Sequence, residues 1–266
     1  DRPEQLPAQG RDPQGSTFVT DNVTATLPPF YRDPRPLSRE AHAAWRLIEG
    51  DAGFAADAAY VPIVAAEFAR AGQSYPLVFA MPGAVPVAVL GLEQRNLFVR
   101  DGQWARDSYV PAYVRRYPFG FVATGQPDSF ILAIDAGSDR VSEQGEEGLA
   151  LFEAGEPAER TRQALAFCDA YQAESEATCA FTDALKEHAL LIERRADATL
   201  PDGRTFGLQG FQIVDAVKFA ALDDATVLDW HKRGWLALVH FHLASLERFQ
   251  LLIARQAELS PEGTAA

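Results

Sequence analysis

Short apolar runs separated by turns recur along the chain. Three pairs of runs stand out: residues 75–80 with 85–92, residues 119–123 with 130–136, and residues 192–199 with 205–214. The two members of each pair are separated by Met81-Pro82-Gly83, by residues 125–128 and by Pro201-Asp202-Gly203, respectively. Apolar runs of this length, bounded by proline and glycine, are typical of strands. Each pair therefore predicts a β-hairpin.

Two longer stretches show helical spacing of their apolar positions. Residues 161–191 keep this spacing over about eight turns, which predicts one long helix. A second long helix is predicted from Asp223-Asp224 to about residue 258, because a continuous apolar stripe follows the two acids. The stripe consists of Trp235, Val239, His242, Leu246, Phe249 and Ile253.

Two shorter helices are predicted in the first half of the chain. Ser38 is a favourable N-cap, and the helix that it begins is expected to stop at Gly50. Residues 61–71 predict a second short helix, because Pro62 is tolerated in a first turn and Gly72 is a favourable end.

The order of these segments predicts the fold class and the domain organisation. Residues 1–36 contain seven prolines and predict an extended arm. Residues 37–258 predict a single domain, with a loop or sub-domain boundary at the polar stretch 137–148, and residues 259–266 form a tail. Helices and hairpins come in blocks, which favours an α+β fold: a mostly antiparallel sheet built from hairpins, with two long helices packed on it.

Composition and charge narrow the classes of function. The chain has 266 residues, of which 47% are hydrophobic, and a formal net charge of −13. An acidic protein is poorly suited to nonspecific binding of nucleic acid or anionic membranes, so neither is expected as a partner. No run approaches the roughly 18 apolar residues of a membrane span, so none is predicted. The oligomeric state stays open.

The two cysteines, Cys168 and Cys179, lie eleven positions apart in the first long helix. At the rise of an α-helix they are about 16 Å apart, too far for a disulfide. Two buried, unbridged thiols favour a reducing compartment, and no signal-peptide pattern is present, so a cytoplasmic location is expected. The chain begins at Asp1 rather than at methionine, which leaves a removed leader open.

The segment from residue 93 to residue 121 is rich in aromatic residues and arginine, and we call it the aromatic–arginine segment. Seven aromatic residues fall between positions 98 and 121, and five arginines but only three acids fall between positions 93 and 117. Such a combination is typical of recognition surfaces. The predicted binding residues are Trp104, Tyr109, Tyr113, Arg115, Arg116 and Tyr117, together with Glu67.

Prolines restrict the conformation of this segment. Between Pro111 and Pro118 there is room only for a short helix, which would place Tyr113 and Tyr117 on one face. The functional interpretation is a pocket wall in which an arginine binds a carboxylate or a partner's acidic group. The alternative is a connection that builds the core, with Arg115 or Arg116 in an internal salt bridge.

Two residues are candidates for acid–base chemistry. Glu67 follows an apolar stretch, and burial would raise its pKa towards that of a general acid. The alternative is that Glu67 binds Arg115 or Arg116 and ties the fold together. His242 belongs to the apolar stripe, which favours a hydrogen-bonded core histidine, and His240 points elsewhere on a helix, so no metal site is predicted. No phosphate loop, dinucleotide fingerprint or nucleophile elbow occurs, and no cofactor is predicted.

The order and content of several short motifs resemble the SapC family of bacterial proteins. The matching residues are Val61-Pro62, Glu67-Phe68, Tyr75-Pro76-Leu77-Val78-Phe79, Val89-Leu90-Gly91-Leu92, Asn96-Leu97-Phe98, Trp104, Tyr109-Val110-Pro111-Ala112-Tyr113, Arg115-Arg116-Tyr117-Pro118-Phe119, Ile134-Asp135 and Leu151-Phe152. The resemblance covers roughly residues 30–255 and is most specific in its first half. The family has no settled biochemical function. Its members lie near genes for TonB-dependent receptors, halogenase-like proteins and cupin-like oxygenases, which implies a place in nutrient uptake or in modifying an imported compound.

Residues and resemblance together predict a non-catalytic binding or accessory protein that recognises a small molecule or a partner protein. The alternative is an enzyme in a halogenase- or oxygenase-type pathway, with Glu67 or His242 as its acid or base. Geometry distinguishes the two hypotheses. An enzyme would need a cleft in which Glu67, a histidine and Arg115 or Arg116 come together.

Overall fold

The computed structural model describes residues 17–19, 28–124, 126, 129–199 and 203–258, with the backbone alone described for 17–19 and 198. The strands are β1 (Thr17–Val19), β2 (Pro34–Pro36), β3 (Arg46–Leu47), β4 (Tyr60–Pro62), β5 (Leu77–Ala80), β6 (Val85–Val89), β7 (Val99–Arg100), β8 (Gln103–Trp104), β9 (Phe119–Ala123), β10 (Phe130–Asp135), β11 (Val141–Ser142), β12 (Leu149–Ala150), β13 (Phe152–Glu153), β14 (Glu156–Pro157), β15 (Leu191–Thr199) and β16 (Thr205–Val214). The helices are α1 (Arg39–His42), α2 (Phe68–Ala71), α3 (Ala112–Arg115), α4 (Glu159–Glu187), α5 (Ala216–Ala220), α6 (Asp224–Arg233), α7 (Trp235–Ser245) and α8 (Phe249–Glu258).

The larger sheet has five antiparallel strands in the order β15-β16-β5-β6-β4. Two of the predicted hairpins, β5–β6 and β15–β16, form most of it and are confirmed; residues 200–202 of the second turn lie outside the described residues. The predicted helix at 61–71 is wrong at its start. Val61 instead pairs with Ala88 in the sheet and is fully buried, and helical structure begins only with a 3₁₀ turn at Ala65–Glu67.

The second sheet has four strands in the order β1-β9-β10-β2. Its centre is the predicted hairpin β9–β10, which is confirmed, while β1 adds in parallel and β2 antiparallel. Part of the proline-rich arm is therefore extended, as predicted, and also belongs to the sheet. Tyr31, just before β2, is 4% exposed and packs in the core.

Three short strands, β11, β3 and β12, form a small third sheet that joins distant parts of the chain. The helix predicted from Ser38 to Gly50 is therefore mostly wrong. Ser38 does cap α1 through the amide of Ala41, but α1 ends at His42, and Arg46–Leu47 pairs with strands from the 137–150 region. Trp45 and Leu47 are buried there. Burial across the sheet outweighs the local helical preference.

The long helix α4 spans both hydrophobic cores. One core lies on the five-stranded sheet, and α4 contributes Tyr171 and Phe181 to it. The other lies on one face of the four-stranded sheet, where Cys168 packs among residues of β9 and β10. The predicted helix at 161–191 is thus confirmed, although it begins at Glu159 and ends at Glu187.

The second predicted long helix is divided. Asp223 caps α6 by accepting from the amides of Ala225 and Thr226, as its position predicts. Gly234 then adopts φ of +75°, a conformation that favours glycine, and ends α6 before α7 begins. A 3₁₀ turn at Leu246–Arg248 separates α7 from α8. The fold is α+β as predicted, with one long helix and a chain of shorter ones.

The helical stretch Trp235–Glu258 is long and apolar enough, by length and composition alone, to cross a membrane. In the structure it packs on the larger core through Val239, His242 and Leu252, each fully buried, although only 22% of its most apolar window is buried. Core helices of globular proteins meet the same criterion, so this finding carries no conclusion about location.

Candidate functional site

The aromatic–arginine segment runs between the two sheets and contains the predicted short helix. Helix α3 covers Ala112–Arg115, directly after Pro111, and β9 begins just after Pro118. The side chains of residues 112–114 are buried, Arg115 is exposed, and Arg116 is only 5% exposed. The two arginines therefore point in different directions.

Tyr113 and Tyr117 pack in the larger core. Tyr113 is fully buried and donates to the carbonyl of Pro29 at 3.0 Å. Tyr117 donates to the carboxylate of Asp135 at 2.9 Å and stacks on Phe54 at 4.1 Å between ring centroids. Burial raises the pKa of each phenol to about 12, so both hydroxyls stay protonated near neutrality. Tyr113 is therefore a buried residue that supports the aromatic–arginine segment and is not part of its surface.

Arg116 is a buried cation enclosed by tyrosine rings. Its guanidinium carbon lies 4.3 Å from the ring centroid of Tyr113, 4.5 Å from that of Tyr171 and 5.8 Å from that of Tyr31. These are cation–π distances. Its Nε and Nη2 atoms have no hydrogen-bond partner within the described residues. Such buried, unpaired donors are rare and costly, so they call for an explanation.

Arg140 is a second partly buried cation beside the first. Its Nη1 donates to the carbonyl of Tyr117 at 3.2 Å, whereas its buried Nε has no partner among the residues that the structure describes. Burial lowers the pKa of Arg140, and repulsion from the guanidinium of Arg160 lowers it further. The charge of Arg140 is therefore disfavoured both by burial and by the neighbouring Arg160.

These side chains line one cavity of about 260 Å³. Its basic lining consists of Arg115, Arg116, Arg140 and Arg160. The rest of the wall consists of Leu47, Tyr117, Pro118, Phe119, Gln163, Ala164 and Phe167. We call this cavity the arginine pocket. Its walls come from β3, the connection from α3 to β9, the loop before β11, and the first turns of α4.

No salt bridge neutralises the arginine pocket within the described parts of the chain. None of the ion pairs there includes any of its four arginines. Arg115 donates to the Tyr109 hydroxyl at 3.0 Å and to the Val110 carbonyl at 3.1 Å, and lies 5.3 Å from the ring centroid of Phe167. The nearby carboxylate of Glu159 is bound by Arg162 and Gln163. Four positive charges thus share a small space without an ion pair among the described residues, although the carboxylates of Asp51 and Glu49 attract Arg140 from an adjoining cavity.

Other cavities adjoin the arginine pocket at Arg140. One of about 610 Å³ shares Arg115 and Arg140 with it and includes Trp104, whose indole donates to the Tyr75 hydroxyl at 3.0 Å. Another of about 630 Å³ shares Leu47, Arg140 and Arg160. Of the predicted binding residues, Trp104, Arg115, Arg116 and Tyr117 therefore line this group of cavities.

Glu67 lies in the interior rather than at the pocket. One carboxylate oxygen accepts from the amide of Ala112 at 2.6 Å and the hydroxyl of Tyr109 at 2.9 Å, and the other accepts from the amide of Val64 at 3.1 Å. Burial raises its pKa, as predicted. Its connection to Arg115 is indirect, because Tyr109 links the two. Glu67 ties the segment to the core, although not through the direct arginine pair considered from the sequence.

His242 is a core histidine. It is fully buried; Nε2 accepts from the amide of Val214 at 3.0 Å, so Nδ1 donates to the carbonyl of Leu77 at 2.9 Å. Desolvation lowers its pKa to about 4. His240 is exposed and packs edge-on against Phe219, so the two histidines do not share a face. Neither Glu67 nor a histidine lines the arginine pocket, and the cleft that an enzyme would need is not formed by these groups.

The cysteines are free thiols, and Cys168 is buried. Desolvation raises the pKa of Cys168 to about 11 and also raises that of Cys179. Both stay protonated near neutrality, which makes them poor nucleophiles.

A family model described as SapC matches residues 37–252, about four fifths of the chain. The chain belongs to the SapC family. No match was found among the curated proteins or the solved structures. The region matched to SapC contains Glu67, the whole aromatic–arginine segment, Arg140 and Arg160. The arginine pocket is therefore a feature of the SapC region of this chain.

The sequence patterns did not predict two residues of the arginine pocket, Arg140 and Arg160. Arg140 lies in the polar stretch that predicts only a loop or boundary. Arg160 carried a usable signal, because a positive charge in the first turn of a helix opposes the helix dipole. A basic residue at that position indicates that the charge serves something other than the helix.

The unpartnered charge of Arg116 allows a stability test. Replacing Arg116 by methionine removes a buried cation and keeps most of the volume. We expect the free energy of unfolding to stay the same or to rise by about 1 kcal/mol, because desolvation opposes a buried unpaired charge more than the tyrosine rings favour it. Urea-induced unfolding measures the change. A loss of several kcal/mol would show that Arg116 is a structural residue.

Proposed function

We propose that this SapC protein is a binding protein that captures an acidic small molecule in the arginine pocket. One observation carries the proposal: four arginines line a single cavity, and no carboxylate of the described residues pairs with them. Arginine is suited to this task because its planar guanidinium binds carboxylate and phosphate groups through two parallel hydrogen bonds.

The shape of the pocket favours a small molecule over a protein partner. Ligand cavities are concave and combine apolar walls with a few polar groups, whereas protein interfaces are larger and flatter. Phe119, Ala164 and Phe167 supply apolar wall beside the arginines. The formal net charge of −13 makes a basic pocket a local exception on an acidic protein. A small acidic ligand would also suit a role in the uptake or modification of an imported compound, in the cytoplasm.

Binding experiments with small acids test the proposal. Acetate, benzoate, inorganic phosphate and phenyl phosphate are titrated into the protein by calorimetry, with benzamide as a neutral comparison. We expect at least one acid to bind and benzamide not to bind. Arg160→Gln should weaken that binding about tenfold, because it removes a charge-assisted contact.

Arg160 suits this test because it is exposed and makes no hydrogen bond or ion pair within the described residues, so its loss leaves the fold intact. Arg70→Gln is the matched control, since Arg70 is an exposed arginine on α2 that does not line the arginine pocket. It should bind like the wild type. If no acid binds, or if the two variants bind equally well, the proposed function is wrong.

A further inference from the structure

We infer that the ligand presents a compact doubly charged anion, the chemistry of a phosphate monoester, attached to an apolar body. This inference rests on the proposed function and names the ligand class for the same pocket. It is carried by the number of charges, the number of unpartnered donors and the composition of the wall.

Charge balance favours a dianion. A single carboxylate would pair with only one or two of the four guanidinium groups, and the carboxylates of Asp51 and Glu49 attract Arg140 without forming an ion pair with it. Arg140 and Arg160 already repel each other, and Arg116 is 5% exposed. In a partly buried site this repulsion is weakly screened by water or salt. A group with two negative charges relieves more of it than any single carboxylate.

The donors also outnumber the oxygens of a carboxylate. The whole Arg160 guanidinium is exposed, carries five N–H donors and makes no hydrogen bond within the described residues. Nε and Nη2 of Arg116 and Nε of Arg140 also lack partners, but these atoms are shielded from solvent and would reach a ligand only after a side-chain movement. A carboxylate offers two oxygens, whereas a phosphate monoester offers three terminal ones. The four arginines come from three separate segments around one cavity, which suits a tetrahedral group better than a planar one.

The first turns of α4 add to this preference. Arg160, Gln163 and Ala164 belong to the amino-terminal end of a 29-residue helix and line the pocket. The amino-terminal end of a helix carries a partial positive charge and favours phosphate. This end supports the arginines rather than forming a site by itself.

The apolar wall indicates that the phosphate is part of a larger molecule. Leu47, Phe119 and Phe167 line the cavity beside the arginines, and the cavity of about 630 Å³ continues from Leu47 and Arg160. Inorganic phosphate alone would leave this surface in contact with water. An ester with an aromatic or aliphatic body would cover it.

The test compares phenyl phosphate with phenyl sulfate by calorimetry. The two have the same ring and the same tetrahedral shape, but the phosphate is mostly a dianion above about pH 6 and the sulfate is a monoanion. At pH 8 we expect phenyl phosphate to bind at least about tenfold more tightly than phenyl sulfate, and more tightly than inorganic phosphate. The preference for phosphate over sulfate should shrink below about pH 6 and in Arg160→Gln, but not in Arg70→Gln.

The outcomes separate this inference from the proposed function. If phenyl sulfate binds as tightly as phenyl phosphate, and both depend on Arg160, the pocket is an anion site but the inferred preference for a dianion is wrong. If inorganic phosphate binds as tightly as the ester, the inference that the ligand carries an apolar body is wrong. If neither ester binds, or if both bind independently of Arg160, the inference fails. The proposed function fails with it unless another acid of the first panel binds in an Arg160-dependent way.

Discussion

Replacing Glu67 by alanine is expected to lower the free energy of unfolding by about 3 kcal/mol, one of the largest effects of a single polar substitution in this protein. The carboxylate accepts from the amides of Val64 and Ala112 and from the hydroxyl of Tyr109. Alanine leaves these donors without an acceptor in a site that is 5% exposed, and adds a small cavity.

Glutamine at the same position should have a smaller effect. Its amide oxygen can replace the carboxylate oxygen that binds Ala112 and Tyr109, but its NH₂ group then faces the amide of Val64, which is also a donor. A loss of about 1 kcal/mol is expected. Glu176→Ala, an exposed change in the middle of α4, is the control and should stay within about 0.5 kcal/mol of the wild type.

Urea-induced unfolding, followed by circular dichroism, measures these three variants. The expected order of stability is Glu176→Ala, then Glu67→Gln, then Glu67→Ala. Equal stability of Glu67→Ala and the wild type would mean that water or a side-chain movement satisfies the three donors, and that Glu67 does not tie the aromatic–arginine segment to the core.

Acid should destabilise the protein strongly through His242. Its pKa is about 4 in the folded protein, against an ordinary value of about 6.5, because it is desolvated. The unfolded chain therefore binds a proton between these values while the folded protein does not. The contribution of neutral His242 to the free energy of unfolding is fully present above about pH 6.5. It falls as the pH is lowered, by about 3 kcal/mol at pH 4.

The comparison of variants isolates this effect from the titration of carboxylates. His242→Gln removes the titrating group, so the stability advantage of the wild type over this variant should shrink by about 3 kcal/mol between pH 7 and pH 4. His240→Gln, two positions away and exposed, should keep the pH profile of the wild type. Urea unfolding across this range measures the difference. An advantage that does not change with pH would mean that His242 has the same pKa in the folded and the unfolded chain.

Features with a local cause were predicted from the sequence. The three hairpins follow from apolar runs around proline and glycine turns, and the short α3 follows from Pro111 and Pro118. The errors have distant causes. Val61 lies in a strand because β6 is available to pair with it, and Arg46–Leu47 pairs with residues about a hundred positions away. Gly234 divides an apolar stripe that looked continuous.

The candidate site was predicted only in part for the same reason. The density of arginine and aromatic residues located Arg115 and Arg116. Their charge partners are absent from the described residues, and the neighbours that make the pocket, Arg140 and Arg160, are 24 and 44 positions beyond Arg116. A pattern along the chain does not show that such residues meet. It also could not separate the buried Tyr113 from an exposed wall residue.

The course of α4 makes the arginine pocket a reporter of the whole fold. The first three turns of this helix line the pocket and pack against the smaller core, and the rest of the helix packs in the larger core. Loosening either core would shift or fray helix α4, which carries Arg160 and Phe167. The proposed ligand binding therefore requires both cores to be assembled. The fraction of active binding sites in a preparation should equal the fraction of chains that are completely folded.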